Sequence, residues 1–179
     1  MPSSYVILDE NPNQNENSDF IILGLKKLRY KDNNILFAGG CPMLFGGQAK
    51  IDENEIDTLK REVSEETSGN VEVEGIDLPV FNTYSNPRAN FYTCTKFNYT
   101  GQSAILNDEF FKICKVSKGK LHRKMQASSE KTKKQFAFNL FEMVGDSEID
   151  PSDDQYKEYE DSRSLASLYK YANEIGLLE

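Results

Sequence analysis

Residues 47–69 read GQAKIDENEIDTLKREVSEETSG, and this stretch decides how the rest of the chain is interpreted. From about residue 54 to residue 68, its apolar positions recur at the spacing of a helix with one apolar face. The positions that share this face are Ile56, Leu59 and Val63. We therefore predict an amphipathic helix that packs this face against a core and ends at the Ser-Gly-Asn sequence that follows.

The predicted helix also carries three glutamates, Glu62, Glu65 and Glu66, beside its apolar face. Carboxylates one turn apart repel each other by a few tenths of a kcal/mol per pair, so this clustering is unfavourable unless cations compensate for it. Arg61 lies four residues before Glu65 and offsets part of the charge. These residues alone allow two interpretations: an ordinary solvated acidic face, or a site for a hard divalent cation, because Mg²⁺ favours carboxylate oxygens.

The spacing in this stretch resembles the Nudix box, whose pattern is Gly, five residues, Glu, seven residues, then Arg-Glu-apolar-any-Glu-Glu-any-Gly-apolar. Gly47 is followed at this spacing by Glu53 and then by the sequence REVSEE, which begins at Arg61. The departure is at the end of the box, where Ser68 takes the place of the late glycine and Gly69 comes one residue later. We expect the helix to run one residue longer than in the family, with Gly69 as its left-handed cap.

The resemblance implies an enzyme that hydrolyses a nucleoside diphosphate linked to another group, such as a nucleotide sugar, an ADP-ribose-like compound, a nucleoside triphosphate or a dinucleoside polyphosphate. It implies that Glu62, Glu65 and Glu66 hold Mg²⁺ or Mn²⁺, together with a backbone carbonyl at Gly46 or Gly47. Glu53 is counted with these glutamates as catalytic, although a helix N-terminal acid favoured by the macrodipole is an equal alternative. Arg61 is expected to orient the carboxylates through charge-assisted hydrogen bonds.

The general base and the substrate-binding residues are less well defined. Some Nudix relatives use a box glutamate as the base and others use an acid in a later loop, for which Asp108 and Glu109 are candidates. Aromatic and basic residues downstream of the box could stack on a base or hold a phosphate, although strand packing is the alternative. These residues are Tyr84, Arg88 and Tyr92.

The resemblance extends over roughly residues 5–145 and implies an α/β fold, a Nudix-like α/β/α sandwich with a mixed sheet. We assign residues 1–145 to the hydrolase domain and residues 146–179 to an acidic linker and a C-terminal helical extension packed on it. Apolar and alternating runs predict the strands, and the first two of them predict a hairpin. The predicted strands are residues 5–9, 20–25, 35–38, 71–73, 78–82, 90–98 and 110–116, with a further helix at residues 130–144 and one or two helices at residues 153–178.

Composition limits the other possibilities. The chain has 179 residues and a formal net charge of −8, which disfavours nonspecific binding to nucleic acid or to an anionic membrane. Residues 112–134 hold nine Lys or Arg and residues 142–161 hold nine Asp or Glu, and we expect these segments to neutralise each other in part. Three scattered cysteines, and the lack of an apolar span or a secretory signal, favour a cytoplasmic protein. The resemblance to the Nudix family implies a small-molecule substrate, a nucleotide or another diphosphate. The alternative to an enzyme is a non-catalytic Nudix-fold module that senses a nucleotide or binds a protein; the oligomeric state is open.

Overall fold

The computed structural model describes residues 3–12, 14, 16–27, 30–31, 34–35, 37–77, 89–101 and 107–179. Ten strands and five helices lie in these ranges. The strands are β1 Ser3–Asp9, β2 Phe20–Lys26, β3 Tyr30–Lys31, β4 Asn34–Ile35, β5 Pro42–Met43, β6 Phe45–Gln48, β7 Val71–Gly75, β8 Ala89–Cys94, β9 Lys96–Tyr99 and β10 Phe110–Ser117. The helices are α1 Glu55–Glu66, α2 Lys118–Ala127, α3 Lys133–Val144, α4 Asp154–Glu160 and α5 Arg163–Glu174. No described helix combines the length and the apolar character needed to cross a lipid bilayer.

Strand β1 organises the main sheet. Its first half lies between β6, which runs antiparallel to it, and β8, which runs parallel to it, so that Tyr5 is opposite both Gly46 and Phe91. Its last residues pair antiparallel with β2, which confirms the predicted hairpin, and β2 also pairs with β5 and β10. Parallel and antiparallel pairs thus occur in one sheet, and the predicted α/β class with a mixed sheet is confirmed.

Helices lie on both faces of this sheet. Side chains of successive strand residues point to opposite faces. Val6 is opposite Tyr92, whose hydroxyl donates a hydrogen bond to Glu55 of α1. Asp9, on the other face of β1, accepts a hydrogen bond of 2.7 Å from the hydroxyl of Tyr171 on α5. The sheet therefore separates α1 from the C-terminal helices.

Helix α1 forms as its sequence pattern predicts, with two corrections. The side chain of Asn54 caps its N-terminus by accepting from the N–H of Asp57, and Leu59 is completely buried. Ile56, however, is 48% exposed in the first turn of α1, so the prediction that it faces the core is wrong. The helix also ends at Glu66 and does not gain a residue.

The end of α1 has two consecutive residues in the left-handed region. Ser68 has φ of 50° and Gly69 has φ of 74°, and the N–H of Gly69 donates to the carbonyl of Ser64 at 2.8 Å. Gly69 therefore does adopt the left-handed conformation, but Ser68 adopts it first, at the position where the box pattern has glycine. A residue with a Cβ is unfavourable there by about 1–2 kcal/mol.

Two predictions from the second half of the chain need correction. The single strand expected at residues 90–98 is broken at Thr95 into β8, which joins the main sheet, and β9, which pairs with β7. The basic segment at residues 112–134 contains α2, a helix that the weak apolar pattern of this segment did not predict. The strand predicted at residues 78–82 lies outside the described residues.

A buried polar network attaches α5 to the start of the chain. The ammonium of Lys118 is fully buried and lies 2.9 and 3.1 Å from the two carboxylate oxygens of Asp9. The same ammonium donates to the carbonyl of Asn11, and the hydroxyl of Tyr171 donates to Asp9. A buried carboxylate is tolerated when such partners replace the water it has lost. At the surface, ion pairs of Lys124 with Glu142 and of Lys134 with Glu160 join the basic and acidic segments, as predicted.

Candidate active site

Two glutamates of α1 lie against the glycines in the middle of β6. The N–H of Gly46 donates to the carboxylate of Glu66 at 2.8 Å. Gly46 has φ of 146°, and a Cβ at this residue would lie 2.1 Å from the carbonyl oxygen of Ser4, so only glycine fits. A Cβ at Gly47 would lie 2.6 Å from the carboxylate of Glu62. The Gly-Gly pair thus lets strand backbone and helix carboxylates approach each other closely.

The carboxyl group of Glu66 is held in an unusual electrostatic state. Its pKa is raised from the ordinary value of 4.5 to about 9, chiefly by burial and also by the nearby Glu109 and Glu62, against the opposing effect of the Gly46 N–H and Lys26. Only 7% of the residue is exposed. In the absence of a cation, this group keeps a proton at neutral pH because its environment disfavours the carboxylate form.

Arg61 is the central cation of the box. Its guanidinium donates to both carboxylate oxygens of Glu53 at 2.8 and 2.9 Å, to Glu62 at 2.7 Å and to Glu65 at 3.1 Å. It also donates to the carbonyl of Gln48 at 3.0 Å. This bidentate pairing with Arg61, first among several hydrogen bonds, lowers the pKa of Glu53 to about 2. Glu53 therefore lies where it can hold Arg61, which agrees with the supporting role expected for the arginine.

Glu65 differs from the other two glutamates of the predicted metal set. Its side chain is 55% exposed and lies 3.5 Å from the ammonium of Lys50 as well as 3.1 Å from Arg61. Glu62 and Glu66 are held against the Gly-Gly pair, whereas Glu65 is at the surface between Arg61 and Lys50. The structure thus brings two of the three glutamates together.

A later acid joins Glu66 from a different part of the chain. Glu109, one of the two candidate bases, contributes to the raised pKa of Glu66 and forms an ion pair of 2.8 Å with Lys26. Its neighbour Asp108 is exposed on the turn. Asn107 positions this turn: its amide donates to the carbonyl of Glu66, and its side-chain oxygen accepts from the N–H of Glu109 at 2.8 Å. Sequence reasoning missed Asn107, although an asparagine that opens a polar turn is a recognised signal for this geometry.

A cleft of about 1170 Å³ opens beside these acids. One wall comes from the sheet and the acid cluster, and the other comes from the C-terminal helices. The sheet side is lined by Ser3, Tyr5, Lys26, Phe37, Met43, Leu44, Gly46, Gln48, Glu66, Ala89, Glu109 and Phe110. The opposite side is lined by Asp154, Lys157, Glu158, Asp161, Ser162, Arg163 and Ser164. The volume is somewhat above the range typical of small-molecule sites.

Tyr92, the predicted substrate-binding residue that the structure describes, does not line this cleft. Tyr84 and Arg88 lie outside the described residues. Tyr92 is on the α1 side of the sheet, where Glu55 accepts its hydroxyl hydrogen bond. The adjacent position Phe91 points to the cleft side and stacks on Tyr5, with 5.4 Å between ring centroids.

The donors beside the Gly-Gly pair suit a hard divalent cation. Among the described residues, no three Asp, Glu, His or Cys side chains form a ready-made metal cage. Mg²⁺, however, is usually held by one or two carboxylates, with water and substrate phosphate as its other ligands. Glu62 and Glu66, next to the Gly46–Gly47 backbone, match that smaller set. A cation bound there would take the place of the proton on Glu66 and relieve the like-charge repulsion among the acids.

Comparison with known proteins yields likeness of structure only. No family model matches the sequence, and no curated relative matches it. A MutT protein from Methanosarcina mazei has 21% identity and a TM-score of 0.43, covering 72% of this chain and 83% of its own. The MutT Nudix hydrolase of Burkholderia pseudomallei has 17% identity and a TM-score of 0.41, covering 65% and 84%. A protein provisionally assigned to the Nudix hydrolase family, from Chromobacterium violaceum, has 17% identity and a TM-score of 0.42, covering 97% and 94%. Likeness at this level carries no argument about activity.

Proposed function

We propose that this chain is a metal-dependent, Nudix-type hydrolase that cleaves a diphosphate linkage in a nucleoside diphosphate joined to another group. The observation that supports it most is the convergence of Glu62 and Glu66 on the Gly46–Gly47 backbone, at the edge of a large cleft. Burying Glu66 beside Glu62 and Glu109 is costly for a protein that only needs to be stable, and carboxyl groups perturbed in this way are common at functional sites.

Each residue of the cluster has a distinct part in this proposal. Glu62 and Glu66 hold Mg²⁺ or Mn²⁺, and Arg61 and Glu53 keep Glu62 in place. A divalent cation bound there supplies charge neutralisation for the diphosphate and a lowered pKa for water. Glu65 is a candidate ligand only after it leaves Arg61 and Lys50.

The other proposed roles belong to Glu109, Lys26 and Tyr5, which line the cleft beside the C-terminal end of α1. Glu109 presents a carboxylate to the cleft and can accept the proton of an attacking water. Lys26, which pairs with Glu109 at 2.8 Å, brings a positive charge to the same place and can bind a phosphate oxygen. Tyr5 adds a hydroxyl on the floor of the cleft, where burial raises its pKa and keeps it a hydrogen-bond donor.

The test is a panel of nucleoside triphosphates, nucleotide sugars, ADP-ribose and dinucleoside polyphosphates incubated with Mg²⁺. We expect release of phosphate or a nucleoside monophosphate from at least one member, and its loss in Glu66→Gln. Glu72→Gln is the matched control, because Glu72 is an exposed carboxylate on β7. Tight binding of a panel member without turnover would overturn the proposed enzymatic activity and favour the alternative, a nucleotide-sensing module. The outward position of Glu65 also suits that alternative.

A further inference from the structure

Phe37 is an exposed aromatic side chain inside the cleft. It is 49% exposed, it lines the cleft on the same side as the acid cluster, and neither the acids nor the proposed chemistry requires it. Scattered exposed apolar residues are ordinary on protein surfaces. The position of Phe37 is not ordinary, because its surroundings hold it where a ligand would lie.

The first neighbour that holds Phe37 is Lys26. Its ammonium lies 5.7 Å from the centroid of the Phe37 ring and 2.8 Å from Glu109. One cation thus joins the acid cluster to the aromatic ring. A ligand whose phosphate binds at Lys26 has its next group within reach of Phe37.

The second constraint on Phe37 is the backbone of the next residue, Ala38. Ala38 is completely buried with φ of 53°, a conformation that is unfavourable for a residue with a Cβ. Such strain persists only where neighbours impose it, and it is common at ligand sites. Here the carboxylate of Glu158, on α4, accepts from the N–H of Ala38 at 3.2 Å, and the N–H of Cys41 donates to the carbonyl of Ala38 at 3.0 Å.

We infer that Phe37 is a stacking platform for the base of a nucleotide ligand, and that Glu158 is the positioning residue that holds it. Base stacking on an aromatic ring is tolerant of base identity, because every base has a π face. The C-terminal helices thereby take part in ligand binding through Glu158. The inference rests on the proposed function for the nature of the ligand, and it specifies how the part beyond the phosphates is held.

The chain contains no tryptophan, which allows a direct test. Phe37→Trp places a single tryptophan at the proposed platform, and its fluorescence can be excited selectively over that of the tyrosines. We expect saturable quenching by AMP, GMP, CMP or UMP and none by ribose 5-phosphate, which carries the phosphate without the base. The control is Phe111→Trp, at a residue that is 44% exposed on β10 outside the cleft, and it should not respond. Equal responses in both variants, no quenching by any of the four nucleotides, or equal quenching by ribose 5-phosphate would overturn the inference.

A second measurement isolates Glu158. Glu158→Leu removes the acceptor for the Ala38 N–H, whereas Glu158→Gln keeps an oxygen that can accept it. In the Phe37→Trp background, we expect Glu158→Leu to weaken nucleotide binding several-fold and Glu158→Gln to restore it, with ribose 5-phosphate binding, measured by calorimetry because it does not quench, the same in all three. A general loss of folding would instead affect both ligands, and equal effects of Leu and Gln would remove the positioning role.

Turnover separates this inference from the proposed function. Phe37→Ala should raise KM for a hydrolysed nucleotide roughly 5- to 100-fold while changing kcat little, since stacking is lost with the metal-side residues intact. If Phe37→Ala hydrolyses the nucleotide with an unchanged KM, the inference about Phe37 is wrong and the proposed function is unaffected. Quenching by nucleotides but not by ribose 5-phosphate, in a protein that hydrolyses no member of the panel, would support the inference and overturn the proposed function.

Discussion

Replacement of Glu66 by glutamine is expected to remove a pH dependence from the stability of the metal-free protein. The folded state raises the pKa of Glu66 from 4.5 to about 9. Between these values, the folded protein keeps a proton that the unfolded chain has released. Stability therefore falls as the pH rises through this window, and it is highest below the unfolded pKa.

The size of the effect follows from one proton. A difference of one bound proton corresponds to about 1.4 kcal/mol per pH unit, so stability should fall by about 2.7 kcal/mol from pH 6 to pH 8 through this group. In Glu66→Gln the titrating group is gone, while the amide oxygen can still accept from the N–H of Gly46. The variant should accordingly gain on the parent protein by about that amount over the same interval.

Urea denaturation at pH 6, 7 and 8 in excess EDTA measures this difference. The comparison is between the parent protein and Glu66→Gln, so that other titrating groups cancel, and Glu72→Gln serves as the exposed control. Stability curves for Glu66→Gln and the parent that stay parallel from pH 6 to pH 8 would refute the buried, proton-holding state of Glu66. A gain by the Glu72→Gln control would show that the effect is not specific to the cleft.

Three further predictions concern activity, the end of α1 and the buried network. Hydrolysis should stop in excess EDTA and return with Mg²⁺ or Mn²⁺, and Glu66→Gln should lower kcat by at least about 100-fold, as followed by phosphate release. Ser68→Gly should raise the free energy of unfolding by a few tenths to about 1 kcal/mol and Gly69→Ala should lower it by about 1 kcal/mol, because both residues are left-handed; urea midpoints that move the other way would contradict this. Tyr171→Phe should lower the free energy of unfolding by about 1.5–3 kcal/mol by removing a hydrogen bond to the buried carboxylate of Asp9, and an unchanged midpoint would show that the bond adds nothing.

The local features of this protein could be read from its sequence. The opening hairpin and the helix that carries the glutamates follow from short-range periodicity, since a side chain's position on a helix depends only on its spacing. The positions of Glu62 and Glu66 on this helix belong to this class. Once α1 is known to lie against Gly46 and Gly47, the close approach of these glycines to the glutamate side chains also follows.

Orientation across the sheet could not be read in the same way. Tyr92 and Phe91 are neighbours in one strand, and a shift of one residue in register exchanges the faces they occupy. Only the parallel pairing of β8 with β1 decides that Phe91 faces the cleft and Tyr92 faces α1. The break at Thr95, which sends the two halves of the predicted strand to different sheets, is decided in the same way by the available partners.

The complete site depends on the tertiary structure alone. The sequence places the Nudix-like glutamates on one helix, but Lys26, Phe37, Glu109 and Glu158 come from four separate segments, and no periodicity relates them. Local contacts decide two other details: Glu65 pairs with Arg61, four residues before it on the same helix, as well as with Lys50, and Ser68 is the first of two left-handed residues in the turn after α1. Spacing along the chain determined which residues share a helix face, whereas long-range packing decided which of them meet in the cleft.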